Sequence, residues 1–433
     1  MNIKDIIAKK RDGKVLNKEE ISYFIKGYTN GNITDYQASA LIMAIYINGL
    51  NMEETKDLTL EMAESGEILD LSEISTNVID KHSTGGVGDK ITLVLMPIIA
   101  SLGIPVAKMS GRGLGFTGGT IDKLESIPGY QTSISIEKFI ESVKNIGIAL
   151  IGQTGNLAPA DKKIYALRDS INCVSSMPLI ASSIMSKKIA AGANKIVLEV
   201  TCGSGAFMKT KEDAIKISGI MKEIGRLAGR ETICIITNMD EPAGYAIGNS
   251  LEMIETIECL KGNVPTDIKE IITTIGSYMI KFAGLGDNLE ENKLKILENV
   301  NNGKAYNKFL ELVQNQNGDI EYIKNTDKFE KAKYIIPVKC REDGYVSSIN
   351  AEEVGKISVN LGAGRVKKED DIDLAVGIVL NKKVADKVKQ GEILAFIYAN
   401  DEEKGNIAVS DLLDTYKISK EPISKEPIIL GIV

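Results

Sequence analysis

Apolar and polar positions along the first seventy residues recur at helical spacing. Three polar side chains stand three positions ahead of a Glu or Gln: Asn17 before Glu20, Thr34 before Gln37, Asn51 before Glu54. Such pairs form capping boxes, each residue satisfying a backbone N–H that the new helix leaves open, so helices are predicted to begin at all three. The run "YQASALIMAIYING" after Thr34 carries an apolar face suited to packing on other helices.

From about residue 76 the period changes. "NVID" reads as a short strand, "ITLVLMPIIASLG" as a buried helix, "IPVAKMS" as a strand, "IEKFIESVKNIG" as a helix and "IALIGQ" as a strand. Strands alternating with helices predict a parallel sheet covered on both faces. The alternation resumes at "NKIVLEV" and "ETICIITN", while 157–192, notably "PLIASSIMSKKIAAG", reads as helix. A helical insertion in an α/β domain can rejoin the N-terminal helices in space.

Residues 320–335 are charged and weakly patterned, as in a linker. Beyond them, "EDGYVSSINAEEVGKISV" and "VKQGEILAFIYAN" alternate valine- and isoleucine-rich runs with glycine turns. The expected fold class is therefore α/β. Residues 1–70, joined by 157–192, form a discontinuous helical lobe. Residues 76–156 and 193–330 form a larger lobe with a mostly parallel sheet, and 336–433 a small β-rich α+β domain. The tail repeats "SKEPI" at 419–423 and 424–428, too short a unit for a repeat architecture.

At roughly 100–200 residues per domain, 433 residues agree with a few domains. A net charge of −7 argues against a general nucleic-acid binder, which needs a basic face. No stretch has the length or apolarity of a membrane span, and "MNIKDIIAKKRDGK" lacks the apolar core of a signal peptide. Five scattered cysteines without a CxxC pair predict reduced thiols in a cytoplasmic protein.

Candidate chemistry concentrates in two glycine loops. "KHSTGGVGD", residues 81–89, follows a predicted strand, precedes a helix and holds the chain's one histidine. Glycines let backbone N–H groups turn inward and the helix N-terminus adds partial positive charge, which suits an anion. Lys81 adds a full charge and Ser83 a donor. His82 lies at a strand's C-terminal end, where open α/β sheets bind ligands, and its ordinary titration near neutrality suits donation to a leaving group. The second loop, "KMSGRGLGFTGGTIDKLE", formally contains GxGxxG at Gly113, Gly115 and Gly118. A dinucleotide fingerprint belongs at the first strand of its unit. Here an earlier glycine loop precedes it, and Lys108, Ser110, Arg112, Thr117 and Thr120 crowd the stretch, as an oxyanion site requires.

"SGRGLGFTGGTIDKLE" together with "KHSTGGVGD" resembles the signature of the thymidine and pyrimidine-nucleoside phosphorylases, and the resemblance extends over essentially the whole chain, "GSGAFMK" and the β-rich end included. It implies a homodimer of two-lobed subunits performing reversible phosphorolysis, with inorganic phosphate as co-substrate and no other cofactor required. It also implies a phosphate site of Lys81, Ser83, Thr92, Lys108, Ser110 and Thr120, and a base site of His82, Arg168, Ser183 and Lys187, with Leu114 and Phe207 as apolar walls. Ser183 and Lys187 are four apart on a predicted helix and share a face, whereas Lys188 points about a quarter-turn away. His82→Ala and Arg168→Ala are expected to lower turnover without unfolding the protein.

Lys108 in "AKMSGRG" resembles the branch that accepts ribose as well as deoxyribose, so uridine, deoxyuridine and thymidine are the expected substrates. Phe116 stands where the family often has histidine. Some relatives resemble this chain in a potassium site whose ligands map to Gly88, position 90, Ala243, Ala246 and Glu255. Position 90 is Lys90, and an ammonium has donors and no acceptor. Lys90 is therefore expected to replace the ion and pair with Glu255 and the carbonyls, the alternatives being a potassium ion bound in spite of it and a Lys90 that faces solvent. The rival enzyme is a phosphoribosyltransferase of the anthranilate type, which needs metal-binding carboxylates, and no such acidic cluster stands by the glycine loops. A lipoyl- or biotinyl-like carrier would need a tip lysine in a carrier motif.

Overall fold

The computed structural model describes residues 1–75, 78–113, 115–116, 118–365 and 370–433. Helices α1 (Ile3–Arg11), α2 (Lys18–Thr29), α3 (Asp35–Asn48) and α4 (Met52–Ala63) open the chain. Asn17 and Asn51 cap α2 and α4 reciprocally with Glu20 and Glu54. At Thr34 the Gln37 side chain accepts the Thr34 N–H at 3.2 Å. The second oxygen of Glu54 takes Lys10 Nζ and the Leu16 N–H, both at 2.8 Å, so one buried carboxylate joins α1, the following loop and α4.

Strand β1 (Ile79–Ser83), helix α5 (Ile91–Ser101), strand β2 (Val106–Ser110), helices α6 (Thr120–Leu124) and α7 (Ile136–Ile146), and strand β3 (Ile148–Gly152) follow. Next come α8 (Pro159–Ser170) and α9 (Met177–Ala190). Their Ala160, Ile164 and Leu179 share one apolar core with Phe24, Leu41, Ile45 and Leu58, which makes the helical lobe discontinuous in sequence.

Strands β4 (Lys195–Cys202) and β5 (Glu231–Asn238), separated by α10 (Lys211–Leu227), complete the parallel set. β1 pairs with β4, β4 with β5 and β2 with β3, all parallel. Helices over 249–315 cover the sheet opposite the helical lobe, and the core between them holds Ile91, Leu95, Val197, Ile257, Ile272 and Phe309.

After β6 (Ala246–Ile247), the remaining strands are β7 (Tyr334–Lys339), β8 (Gly344–Ile349), β9 (Gly377–Leu380), β10 (Lys387–Val388), β11 (Ile393–Ala399), β12 (Tyr416–Ser419) and β13 (Ile429–Ile432). All but β13 form, with β6, one sheet ordered β6-β9-β11-β7 and another ordered β10-β8-β12, packed with helices Ala351–Ser358 and Glu402–Thr415.

Two predicted boundaries need correction. The C-terminal domain does not keep 336–433 to itself: β13 returns to the α/β lobe and pairs antiparallel with β5, Ile432 opposite Ile235. In exchange, β6 leaves the α/β lobe and pairs with β9. Residues 320–335 are not a loose linker either. Ile323 and Phe329 are buried, and Tyr322 meets Phe329 edge-on at 5.4 Å. The charged residues around these anchors hid them.

No described helix is long and apolar enough to cross a membrane, and all five cysteines are free and buried.

Candidate active site

Successive residues of a strand face opposite sides of its sheet, and the end of β1 uses this to divide the site. Asp80 points toward α9 and β2, accepting Lys188 Nζ at 2.7 Å and Lys108 Nζ at 3.0 Å. His82 shares that side. Lys81 points the other way, with no exposed side-chain surface, and pairs with Glu199 of β4 at 2.6 Å. Its ammonium also donates to Thr92 Oγ1, in the first turn of α5, at 3.3 Å.

Gly85 and Gly88 have φ of +96° and +72°, the left-handed region that glycine tolerates. Ser83 Oγ accepts the Gly85 N–H at 3.2 Å, and Ser83 also bonds Asp89. Lys108 Nζ donates to the Lys81 carbonyl at 2.6 Å as well as to Asp80, tying β2 to β1. Ser110 ends β2 and Thr120 begins α6. Lys81, Ser83, Thr92 and Lys108 are thus drawn together around the first loop, with Ser110 and Thr120 at the second.

The cationic field has consequences for titration. Burial works against the Asp80 carboxylate, yet Lys108 and Lys188 hold its pKa below the ordinary value. Burial drives Lys108 well below the ordinary lysine range although Asp80 opposes it, and Lys188 and Lys81 push it further down. Burial raises the Glu199 carboxyl in spite of Lys81. His82 is pushed well below 6.5, by burial first and then by Lys188, Lys108, Lys187 and Lys81. The expectation of an imidazole titrating near neutrality is therefore corrected: burial and four cationic neighbours keep it neutral.

On the helical lobe, Lys187 Nζ donates to Asp161 Oδ2 at 2.6 Å and to Ser183 Oγ at 2.9 Å. The i, i+4 placement of Ser183 and Lys187 on one face holds. Lys188, turned aside from that face, is the residue that reaches the sheet through Asp80. Arg168 is only 1% exposed. Its guanidinium donates to the carbonyls of Cys173 (3.3 Å), Leu179 (3.1 Å) and Val174 (2.5 Å), and lies 5.6 Å from the Tyr165 ring centroid. Burial lowers its pKa. No ion pair engages it among the described residues.

Phe207 is 43% exposed and meets the Phe116 ring at 6.2 Å, tilted, with Lys209 Nζ 5.5 Å from that ring. Leu114 lies outside the described residues. The positions assigned to potassium converge as well. A Cβ on Gly88 would stand 2.6 Å from the Ala243 carbonyl oxygen. At the centre lies Lys90 Nζ, 2.9 Å from the Ala243 carbonyl, 3.1 Å from the Ala246 carbonyl and 2.6 Å from Glu255 Oε2.

Three family descriptions match consecutive parts of the chain. Residues 4–66 match "Glycosyl transferase family, helical bundle domain", 75–306 "Glycosyl transferase family, a/b domain", and 345–419 "Pyrimidine nucleoside phosphorylase C-terminal domain". Pyrimidine-nucleoside phosphorylase of Bacillus subtilis (strain 168) is 52% identical over 421 residues, 97% of each chain. That of Geobacillus stearothermophilus is 52% identical over 429 residues, 99% of each. The chain belongs to the pyrimidine-nucleoside phosphorylase family.

Among solved structures, anthranilate phosphoribosyltransferase from Thermus thermophilus is similar at a TM-score of 0.59, covering 72% of this chain and 98% of that one. At 18% identity the likeness is one of fold. Within the phosphorylase frame, sequence reasoning missed Asp80, Asp161 and Glu199 and set Lys188 aside as turned from the base-site face, although these carboxylates and this lysine aim the assigned residues. Asp80 stood immediately ahead of the first glycine loop. The alternation of β1 was the available signal, since a carboxylate two before a ligand-facing histidine shares its face.

Proposed function

We propose that this member of the family converts uridine, deoxyuridine and thymidine, with inorganic phosphate, reversibly to free base and pentose 1-phosphate. The observation that carries the reading is the end of β1, where Lys81 turns toward α5 and a neutral His82 turns toward a side held by Lys108, Lys187 and Lys188.

Phosphate takes the side of Lys81, Ser83, Thr92, Ser110 and Thr120, with Lys108 bridging the two sides. As the C1′–N1 bond breaks, its electron pair leaves with the pyrimidine and positive charge grows on the sugar. A phosphate oxygen then forms the new bond to C1′. Arg168 and Lys187 hold the negative charge on the base, His82 donates to O2, and Ser183 completes the contacts. These groups accelerate the step insofar as they bind the charged transition state more tightly than the neutral nucleoside. Closure of the helical lobe on the sheet brings nucleophile and sugar together and expels water. The phosphoribosyltransferase alternative is disfavoured because Asp80 and Glu199, on either side of the end of β1, are engaged by lysines, Asp80 by Lys108 and Lys188 and Glu199 by Lys81, while Asp89 within the loop is bonded to Ser83 and the Ile91 N–H.

Purified protein incubated with phosphate and single nucleosides is expected to release uracil from uridine and deoxyuridine and thymine from thymidine, each with a pentose 1-phosphate. No base appears without phosphate. Release from thymidine but not uridine overturns the role given to Lys108. Pyrophosphate release from a phosphoribosyl donor would favour the transferase.

The working form is proposed to be a cytoplasmic homodimer joined through the helical lobe. Tyr36, Met43 and Ile47 recur at i, i+7 and i+11 on α3, hence on one face, and are 74%, 38% and 72% exposed. Light scattering is expected to give the mass of two chains for the wild type and of one for Ile47→Asp. A monomeric wild type refutes the assembly without touching the chemistry.

A further inference from the structure

The loop 242–246 has its backbone polar groups taken up in an orderly way. Lys90 Nζ is held by the Ala243 and Ala246 carbonyls and Glu255 Oε2. Lys383 Nζ, from the C-terminal domain, donates to the Pro242 carbonyl, to the Gly244 carbonyl at 3.0 Å and to Asp267 Oδ2 at 2.9 Å. An ammonium carries three N–H donors, and each of these two finds three oxygens. The two carboxylates serve the loop's own donors in turn: Asp267 takes the Gly244 N–H at 2.9 Å, and Glu255 takes those of Tyr245 and Ala246 at 2.8 and 3.0 Å.

We propose that Lys90 and Lys383 are the resident cations of this loop, that no potassium ion binds there, and that Lys90 positions the phosphate site through it. A metal ion needs lone pairs directed at it, and at this place each carbonyl and carboxylate oxygen already accepts at least one N–H, with the two ammonium groups filling the space an ion would take. The Lys90 side chain has no exposed surface, so it has no room to swing aside for an ion. The loop in turn touches the phosphate loop: the Ala243 N–H donates to the Val87 carbonyl at 3.0 Å, and Gly88 packs on the Ala243 oxygen with no room for a side chain. Lys90 itself immediately precedes α5, two residues before Thr92. Lys383 extends the same grip to the C-terminal domain, so the position of that domain bears on the phosphate loop.

The positioning role rests on the phosphorylase reading, whereas the absence of an ion does not, and the tests keep the two apart. Wild-type protein is exchanged into tetramethylammonium chloride and compared with potassium chloride at equal ionic strength. Its melting temperature, kcat and phosphate KM are expected to be the same in both, and crystals soaked in thallous ion, which reports potassium sites by anomalous scattering, show no peak at the loop. Lys90→Thr restores an oxygen ligand and opens the cavity. In tetramethylammonium it is expected to lose at least tenfold in kcat/KM for phosphate, mostly in KM, and to regain activity and melting temperature when potassium is added. A potassium response or a thallous peak in the wild type overturns the proposal. So does a Lys90→Thr protein that is indifferent to potassium, or one that stays unfolded even in its presence, since the ammonium would then be doing something an ion cannot.

Discussion

His82→Ala is expected to lower kcat for uridine phosphorolysis by about 10²–10³-fold, the usual cost of removing one donor from a charge-stabilising set. The fold should survive. His82 is half-buried at the end of β1, and among the described residues nothing hydrogen-bonds its imidazole, so the substitution orphans no partner. The form of the donor matters more than its presence. With its pKa held well below 6.5 by burial and four lysines, the imidazole is neutral throughout the working range and offers one N–H. It therefore acts as a fixed dipole rather than as an acid, and the proton stays on the ring as the base departs.

Two measurements follow from that state. The pH profile of kcat/KM should show no inflection near 6.5 that disappears in His82→Ala. His82→Gln, which keeps a neutral N–H donor, should recover part of the lost rate. Linkage gives the sign for stability. Above about pH 6.5 folded and unfolded chains both carry neutral His82. As the pH falls below it, the unfolded chain takes a proton that the folded one resists, so this residue destabilises the fold on acidification. An acid limb that moves with substitution at 82, or a Gln variant no better than Ala, would show that His82 works as a titrating acid.

How far the site was legible beforehand follows from the range of the interactions. The capping pairs at Asn17 and Asn51 operate over three residues, and the strand–glycine–helix order around Gly85 over about ten; both stand in the sequence as they stand in space. The face shared by Ser183 and Lys187 is equally local. What stayed hidden is pairwise and distant. Asp80 meets Lys188 across 108 positions and Lys383 meets Asp267 across 116, and nothing in the period of either segment says so. Lys383 sits in "NKKVADKVKQGE", which reads as a solvated turn. The apolar "IILGIV" at the C-terminus says nothing of its partner β5, since the pairing is settled by which sheet edge is free. Lys90 is the intermediate case. A misfit between residue type and implied metal was visible, while the second ammonium beside it was not.

Arg168 should be the costliest position to change, because its side chain carries structure as well as charge. Its buried guanidinium holds three carbonyls in place, those of Cys173, Val174 and Leu179. Removing it leaves buried acceptors unsatisfied at about 1–3 kcal/mol each, so Arg168→Ala is expected to melt roughly 5–10 °C lower. The same burial leaves the cation without a direct counter-ion among the described residues, a state that favours any negative charge developing beside it. Catalysis and stability are separable with two further variants. Arg168→Lys keeps a charge but cannot span three carbonyls; Arg168→Gln keeps donors and loses the charge. Both should melt below the wild type by similar amounts. Measured on folded protein at a temperature well under either transition, the lysine variant should turn over at least tenfold faster than the glutamine variant. Equal rates for the two would confine Arg168 to holding residues 173–176 and the start of α9, and an unchanged melting temperature for Arg168→Ala would mean that its three carbonyls find other donors.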